Sequence, residues 1–348
     1  MKERIEKVQK LIHDERVAAL IIDHPIDLYY LLGLELSFGR LVIEEGAATL
    51  FVDGRYFEAC RAIDFISVVL TAGYDQESAF GKGWRFSDKR IGFDAQVTSY
   101  ADFESLKALG AELIPLKSPI KSIREIKEAQ EIEALKEAAE LGSKGFDYVR
   151  SLLKEGVTEK EIALELELFW RKRGGERLAF SPHIAFGEGS AHPHYHVSDR
   201  PLKKGDLVLI DIGVVYKHYH SDMTRVLFFG EPNPELLKIY QIVHEAYNAA
   251  IRLCSPGNKI GDIDHAARHL IEQRGYKLPH GLGHGVGLEI HEFPRLSAAS
   301  PDVNRLLQEG MVLTIEPGIY LPGLGGVRLE DTIVITKTGH ENLTNRPL

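Results

Sequence analysis

LKKGDLVLIDIG (202–213) and LQEGMVLTIEPG (307–318) are one pattern written twice. Gly205 aligns with Gly310, Ile210 with Ile315, Asp211 with Glu316 and Gly213 with Gly318. Downstream, Asp222-Met223-Thr224 aligns with Glu330-Asp331-Thr332 once the turn length is allowed to differ, and each is followed by an apolar run, VLFF or IVI. Upstream, EGVTEKEI…RKRGGE (155–176) matches PGNKIGDI…EQRGYK (256–277), with Gly156 over Gly257, Ile162 over Ile263 and Gly174 over Gly275. Each half therefore reads as helix, strand, turn, strand, with one carboxylate on the first strand and one at the start of the second. A two-fold arrangement of such halves brings Asp211, Asp222, Glu316 and Glu330 to a shared axis.

Carboxylates inside strand-like runs such as LVLIDIG (207–213) and MVLTIEPGIY (311–320) are costly to bury without a strong partner. Four acids brought together cannot compensate one another, whereas divalent cations can. His284, set between glycines in PHGLGHGVGLEIHEFP (279–294), completes an oxygen-rich ligand set for two ions. Such a set favours Mn²⁺, with Co²⁺ and Fe²⁺ close to it and Zn²⁺ still possible. For Asp222 the bland alternative is an exposed acid at a turn exit.

The same segment carries His280 and His291, which flank His284 and can exchange protons with a substrate amide. AHPHYHVSD (191–199) adds His192, His194 and His196, where an incidental His-rich loop is the competing reading. His218 and His220 lie in the tip of the 211–222 hairpin and are expected to face solvent. Arg328 shares a strand face with Glu330 and can neutralise a ligand carboxylate from behind; otherwise it is a surface arginine. Arg295 either grips a small carboxylate bidentately or is simply solvated. Neither cysteine has the context of a nucleophile, and the chain contains no GxSxG and no phosphate-cradling loop.

A chain of 348 residues exceeds one ordinary core, so two domains are expected. Residues 1–120 alternate strand and helix, with a helix over 3–16 and strands at 18–22, 40–44, 47–52, 66–70 and 90–93: a small α/β domain. Pro119 marks a break, a long helical pattern starts near Lys127, and residues 121–348 carry the repeat in an α+β domain. Thr158 and Glu161 form a capping box for a helix that stops at Gly174-Gly175. A net charge of −9 and a pI near 5.9 argue against nucleic acid or an anionic membrane as partner. Two well-separated cysteines and a charged N-terminus without an apolar core point to the cytoplasm.

DIG…SDMTR, HGLGHGVGLEIHE, TIEPGIY and GGVRLEDT closely resemble the signature segments of the pita-bread metallopeptidases. That family includes methionine aminopeptidase, aminopeptidase P and prolidase, with creatinase as a non-peptidase relative. VDGRYFEA (52–59) resembles the extra N-terminal domain of the proline-specific members. The resemblance implies a pita-bread C-terminal domain with internal pseudo-two-fold symmetry behind a smaller creatinase-like N-terminal domain. It implies Asp211, Asp222, His284, Glu316 and Glu330 as metal ligands, with Asp222 and Glu330 bridging. It further implies His194, His280 and His291 as substrate and proton-handling histidines, Glu316 as proton acceptor and Arg328 as support. Arg295 in HEFPRLS resembles the arginine with which prolidases hold a dipeptide carboxylate, whereas the HY after Pro193 is closer to aminopeptidase P. The function implied is hydrolysis of small peptides with proline second: an Xaa-Pro dipeptidase, or alternatively an Xaa-Pro aminopeptidase acting on longer peptides. A creatinase-type amidinohydrolase and a non-catalytic binding protein on the same fold are remoter readings. A homodimer is implied by resemblance alone.

Overall fold

The computed structural model describes residues 1–71, 86 and 89–348, in two compact units, Met1–Arg124 and Glu125–Leu348. The first is built on a six-stranded mixed sheet. Its central strand, Ala19–Ile22, pairs antiparallel with Arg40–Glu44 and parallel with Arg90–Asp94. All four of its residues are buried, as an apolar run between two neighbours requires. The helix Lys2–Asp14 buries Ile5, Val8 and Ile12, the stripe its sequence period predicts. The helix Pro25–Leu32 escapes the sequence reading because PIDLYYLL is apolar on nearly every side and shows no period.

In the second unit every strand pairing is antiparallel, among the described residues. The long helix expected near Lys127 runs Ala129–Leu152. The next, Glu159–Arg171, begins with both hydrogen bonds of the Thr158–Glu161 capping box in place. These two helices pack through Leu141, Phe146, Ile162, Leu166 and Trp170 against Ile184, Val208 and Ile210 of the first-half sheet. Helices Pro234–Ile251 and Ile260–Gln273 cover the second half in the same way, with Val243, Tyr247, Ile263 and Ile271 against Leu313, Ile315 and Ile333.

The backbone reproduces the duplication. Three of the four aligned glycine pairs have matching positive φ: +88° at Gly156 and Gly257, +88° and +84° at Gly174 and Gly275, and +91° and +88° at Gly205 and Gly310. Gly156 N–H donates to Leu202 O and Gly257 N–H to Leu307 O, each at 2.9 Å. One difference lies in the ladders. Ile210 faces Arg225, but its counterpart Ile315 faces Asp331 rather than Ile333. A slip of two residues leaves every side chain on its original face, so the acids still point to one side.

One hairpin residue departs from expectation. His220 is buried, not solvent-facing. The turn is made at Lys217 and His218, both at positive φ, so His220 already lies on the returning strand. Its backbone N–H donates to Gly287 O at 2.9 Å, and burial lowers its pKa to about 4. Asp222 is buried too, which sets aside the bland alternative of an exposed acid at the turn exit.

The halves meet where Thr224 and Glu330 exchange backbone hydrogen bonds of 3.4 and 3.1 Å. Behind this seam Arg225 is buried; it donates to Asp331 Oδ1 at 2.6 Å, to Glu330 O at 2.5 Å and to Thr344 O at 2.8 Å. Tyr247 OH donates to the other Asp331 oxygen at 2.6 Å. Removing one partner of such a pair strands a buried charge. Arg225→Met is expected to cost about 3–5 kcal/mol, read as a lower denaturant midpoint with little change in slope.

Candidate metal centre

Tight backbone contact builds the strand Gly283–Gly285, which carries the candidate ligand His284. A Cβ on Gly283 would lie 2.0 Å from Thr314 O, and one on Gly285 would lie 2.0 Å from Phe293 O. Only glycine allows this approach, and it holds His284 between its neighbours. His284 N–H donates to Thr314 Oγ1 at 3.1 Å, and its ring Nδ1 donates to Gly285 O at 3.1 Å. That bond fixes the tautomer and leaves Nε2 with its lone pair toward the cavity.

Around Nε2 the acids assemble. Asp222 Oδ2 and Glu316 Oε1 each lie 3.6 Å from it. Ligand atoms of Asp222, His284 and Glu330 all fall within 4.8 Å of one another. Burial, with the neighbouring His291 second, lowers the His284 pKa to about 3. The imidazole is therefore neutral, and the 3.6 Å approaches are not ion pairs but the spacing of candidate ligands.

Burial, then Glu330, pushes both Asp222 and Glu316 well above the usual carboxylate range. Glu330 rises to about 8, through burial and then Asp211. The one full cation in the cluster is Arg328, which bonds Asp211 Oδ2 and donates to Tyr320 OH at 2.8 Å and Thr224 Oγ1 at 3.2 Å. Thr224 in turn donates to Glu330 Oε2 at 2.7 Å. Among the described residues, Asp211 Oδ1 is buried without a hydrogen-bond partner. One guanidinium cannot balance four acids. An orphaned carboxylate oxygen, proton-retaining acids and a neutral imidazole with a free nitrogen fit a divalent cation.

These groups line a cavity of about 680 Å³ that also takes in His194, His280, His291 and Arg295. The rings of His284 and His291 meet edge-on with centroids 4.4 Å apart. Both His280 nitrogens are engaged: Nδ1 with Gly281 O at 2.8 Å and Nε2 with Tyr320 OH at 3.0 Å. Since Tyr320 accepts from Arg328, its own proton goes to His280. His194 and Arg295 are exposed at the cavity wall, and the Arg295 guanidinium makes no ion pair among the described residues. His192, His196 and His218 do not line the cavity.

Sequence reasoning missed Thr224, Tyr320, Phe180 and His183. The first two act through hydroxyls, which carry no motif signal. The other two lie on or beside the strand His183–Phe186, where His183 faces Asp211 across the ladder. The ladder also breaks the repeat. Phe186 faces Val208 as Gly285 faces Leu313, so the first-half counterpart of His284 is Ala185.

Residues 133–337 match the model for metallopeptidase family M24, and residues 4–126 match the creatinase/prolidase N-terminal domain. The chain belongs to metallopeptidase family M24. An Xaa-Pro dipeptidase of Pyrococcus furiosus is 38% identical, over 99% of this chain and 98% of its own. A solved prolidase from Pyrococcus horikoshii superposes with a TM-score of 0.91 at 36% identity, covering 99% of each chain. An X-Pro aminopeptidase from Thermotoga maritima gives 0.85 at 31% identity, covering 99% of this chain and 98% of that one. Divalent metal chemistry and a peptidase activity come with membership of M24. No helix among the described residues is long and apolar enough to cross a membrane.

The raised carboxyl pKa values have a measurable sign. With no cation bound, the folded state holds protons that the unfolded chain has released, so stability of the metal-free M24 protein falls as pH rises towards 8. Cation binding expels those protons. Titrating Mn²⁺ at about pH 7 in buffers of different ionisation enthalpy should reveal net proton release that shrinks above pH 8. No release at pH 7 would mean the acids are already ionised.

Proposed function

We propose that this chain is an Xaa-Pro dipeptidase that hydrolyses the amide between a free N-terminal residue and a following proline. The observation that carries the reading is the buried cluster of mutually repelling acids around one neutral imidazole, Asp222, His284 and Glu330 within 4.8 Å. Two divalent cations would be held by Asp211, Asp222, His284, Glu316 and Glu330, with Asp222 and Glu330 shared. When bound, the pair supplies Lewis acidity for the scissile carbonyl and a water of lowered pKa.

The chain's own groups do the rest. Glu316 takes the proton of the attacking water. His291, beside His284 and open to the cavity, donates to the carbonyl oxygen as charge builds there. His194 contacts the substrate from the facing wall, and His280, held by Tyr320, lines its path. The scissile nitrogen takes up a proton before it leaves, as in any amide hydrolysis, and Glu316 returns the one it took from water; proline's nitrogen carries no N–H, so it offers no donor for recognition. Arg295 receives the dipeptide's terminal carboxylate. Arg328 keeps Asp211 oriented.

The alternative, aminopeptidase P activity on longer peptides, leaned on the HY after Pro193. Tyr195 donates its hydroxyl to buried Glu159 at 2.9 Å, a structural role that gives longer peptides no advantage. Manganese is the first choice on ligand hardness, with cobalt, iron or zinc behind it. We assign catalysis to residues 121–348 and an accessory role to 1–120, in a cytoplasmic homodimer; the two buried free thiols, Cys60 and Cys254, agree with a reducing compartment.

Ala-Pro and Ala-Pro-Ala assayed under matched Mn²⁺ and Co²⁺ should show the dipeptide preferred; equal or better cleavage of the tripeptide sinks the dipeptidase reading. Glu316→Gln should lower kcat about 10²–10⁴-fold, and wild-type turnover at full metal content would exclude the proton-acceptor role. Arg295→Ala should raise KM for Ala-Pro roughly tenfold or more and leave Ala-Pro-amide unaffected. Equal losses on both substrates would place Arg295 outside carboxylate recognition.

A further inference from the structure

Glu159 is an acid sealed inside the protein away from the metal cluster, with no accessible surface. Four donors converge on it. Phe186 N–H donates to Oε1 at 2.8 Å, while Ser198 N–H, Ser198 Oγ–H and Tyr195 O–H donate to Oε2 at 2.9, 2.7 and 2.9 Å. Phe186 ends the strand His183–Phe186. Tyr195 and Ser198 belong to the loop that carries His194. The Tyr195 ring lies over Gly189, where a Cβ would come within 3.0 Å of it. The same loop reaches the site: Pro193 O accepts from Arg328 at 3.4 Å, the His183 ring bonds the Tyr195 backbone, and His194 lines the cavity.

The internal duplication separates what folding needs here from what Glu159 adds. Glu159 opens the helix Glu159–Arg171, and its N–H donates to Arg200 O at 3.4 Å. The alignment of Gly156 with Gly257 and Ile162 with Ile263 places Ile260 over Glu159. Ile260 opens its own helix, and its N–H donates to Arg305 O at 2.9 Å. The bridges Thr158–Pro201 and Lys259–Leu306 match as well. Both halves thus satisfy a helix-start N–H with the carbonyl of an incoming segment, and the second half does so over a buried isoleucine. The acid is the first half's addition. Burying it in place of an apolar side chain carries a desolvation cost, and what it secures is the seat of Tyr195 and Ser198, just after His194.

We propose that Glu159 is a positioning residue for His194: it docks residues 195–198 onto the first-half sheet and so sets where the adjoining imidazole stands at the cavity wall. The inference rests on the Xaa-Pro reading above, in which His194 contacts the substrate, and deepens it. Glu159 does not itself line the cavity and acts only through the loop. A substrate contact displaced by a fraction of its reach loses most of its effect on the reaction, so the seat of the loop sets the worth of its histidine.

Glu159→Gln keeps the shape and spoils the acceptor pattern: whichever way the amide turns, the N–H of Phe186 or of Ser198 faces an NH2 group. Tyr195→Phe leaves the acid in place and removes one donor; it is read in parallel so that a folded variant is at hand. The first measurement needs no substrate. Amide hydrogen exchange of the full chain should quicken about tenfold over residues 194–198 in Glu159→Gln, less in Tyr195→Phe, and stay unchanged in the helices Ala129–Leu152 and Pro234–Ile251. The second is a double-mutant cycle on the metal-loaded full chain with Ala-Pro. Glu159→Gln should lower kcat/KM about tenfold at unchanged metal content. In a His194→Ala background the same substitution should change kcat/KM by no more than about twofold, because the group it positions is gone. An acid with a purely structural role would lower both backgrounds alike. Equal losses in both backgrounds, no loss in either, or unchanged loop exchange overturns the positioning role and leaves the dipeptidase reading standing. A wild-type protein that cleaves no Xaa-Pro dipeptide under any of the cations overturns both.

Discussion

Electrostatic repulsion among buried acids is the constraint around which the C-terminal half is organised. Asp211, Asp222 and Glu330 are each nearly inaccessible, and Glu316 is mostly covered. Left alone, such a cluster would be expelled or would hold protons, and the raised pKa values describe the second outcome. The scaffold tolerates it because two sheets meet at the cluster and lock it from behind. Arg328, Thr224 and Tyr320 fix the acids' orientation. Arg225 and Asp331 clamp the strands that carry them. The site is thus stabilised by its surroundings and destabilised by itself until a cation arrives, an arrangement in which fold energy is held against function.

The duplicated unit explains how so many ligands reach one point. Each half needs only a first strand with one acid and a second strand with another, and symmetry does the gathering. Aligned glycines at equal φ show that the halves share turns as well as sequence pattern. The two-residue ladder slip shows that they are free to drift in register by whole pleats, because only even shifts keep the acids inside.

Much of this was readable in the chain. The acids betrayed themselves by sitting in apolar strands, and the glycine-flanked histidine by needing no Cβ on either side. Helix starts were legible wherever a capping pair stood, as at Thr158 and Glu161. The helix Pro25–Leu32 was not, because buried helices lack a polar face. His220 was misjudged because a hairpin's tip cannot be located to the residue from its length; a shift of one or two positions exchanges solvent for interior. Thr224, Tyr320 and His183 were invisible because their importance comes from neighbours supplied by distant segments: Glu330, Arg328 and Asp211.

A perfect two-fold axis through a binding site has a drawback: it presents the same face to either end of whatever enters. Ala185, a bare methyl where the other half carries His284, removes that ambiguity at the centre of the duplication. One lobe sets an imidazole nitrogen beside its two acids and carries the guanidinium of Arg295 at the wall, while the other brings its two acids without an imidazole at the matching place. Under the proposed reading, a short peptide, which has a positive head and a negative tail, would find a compass in the pocket and lie down in a single sense.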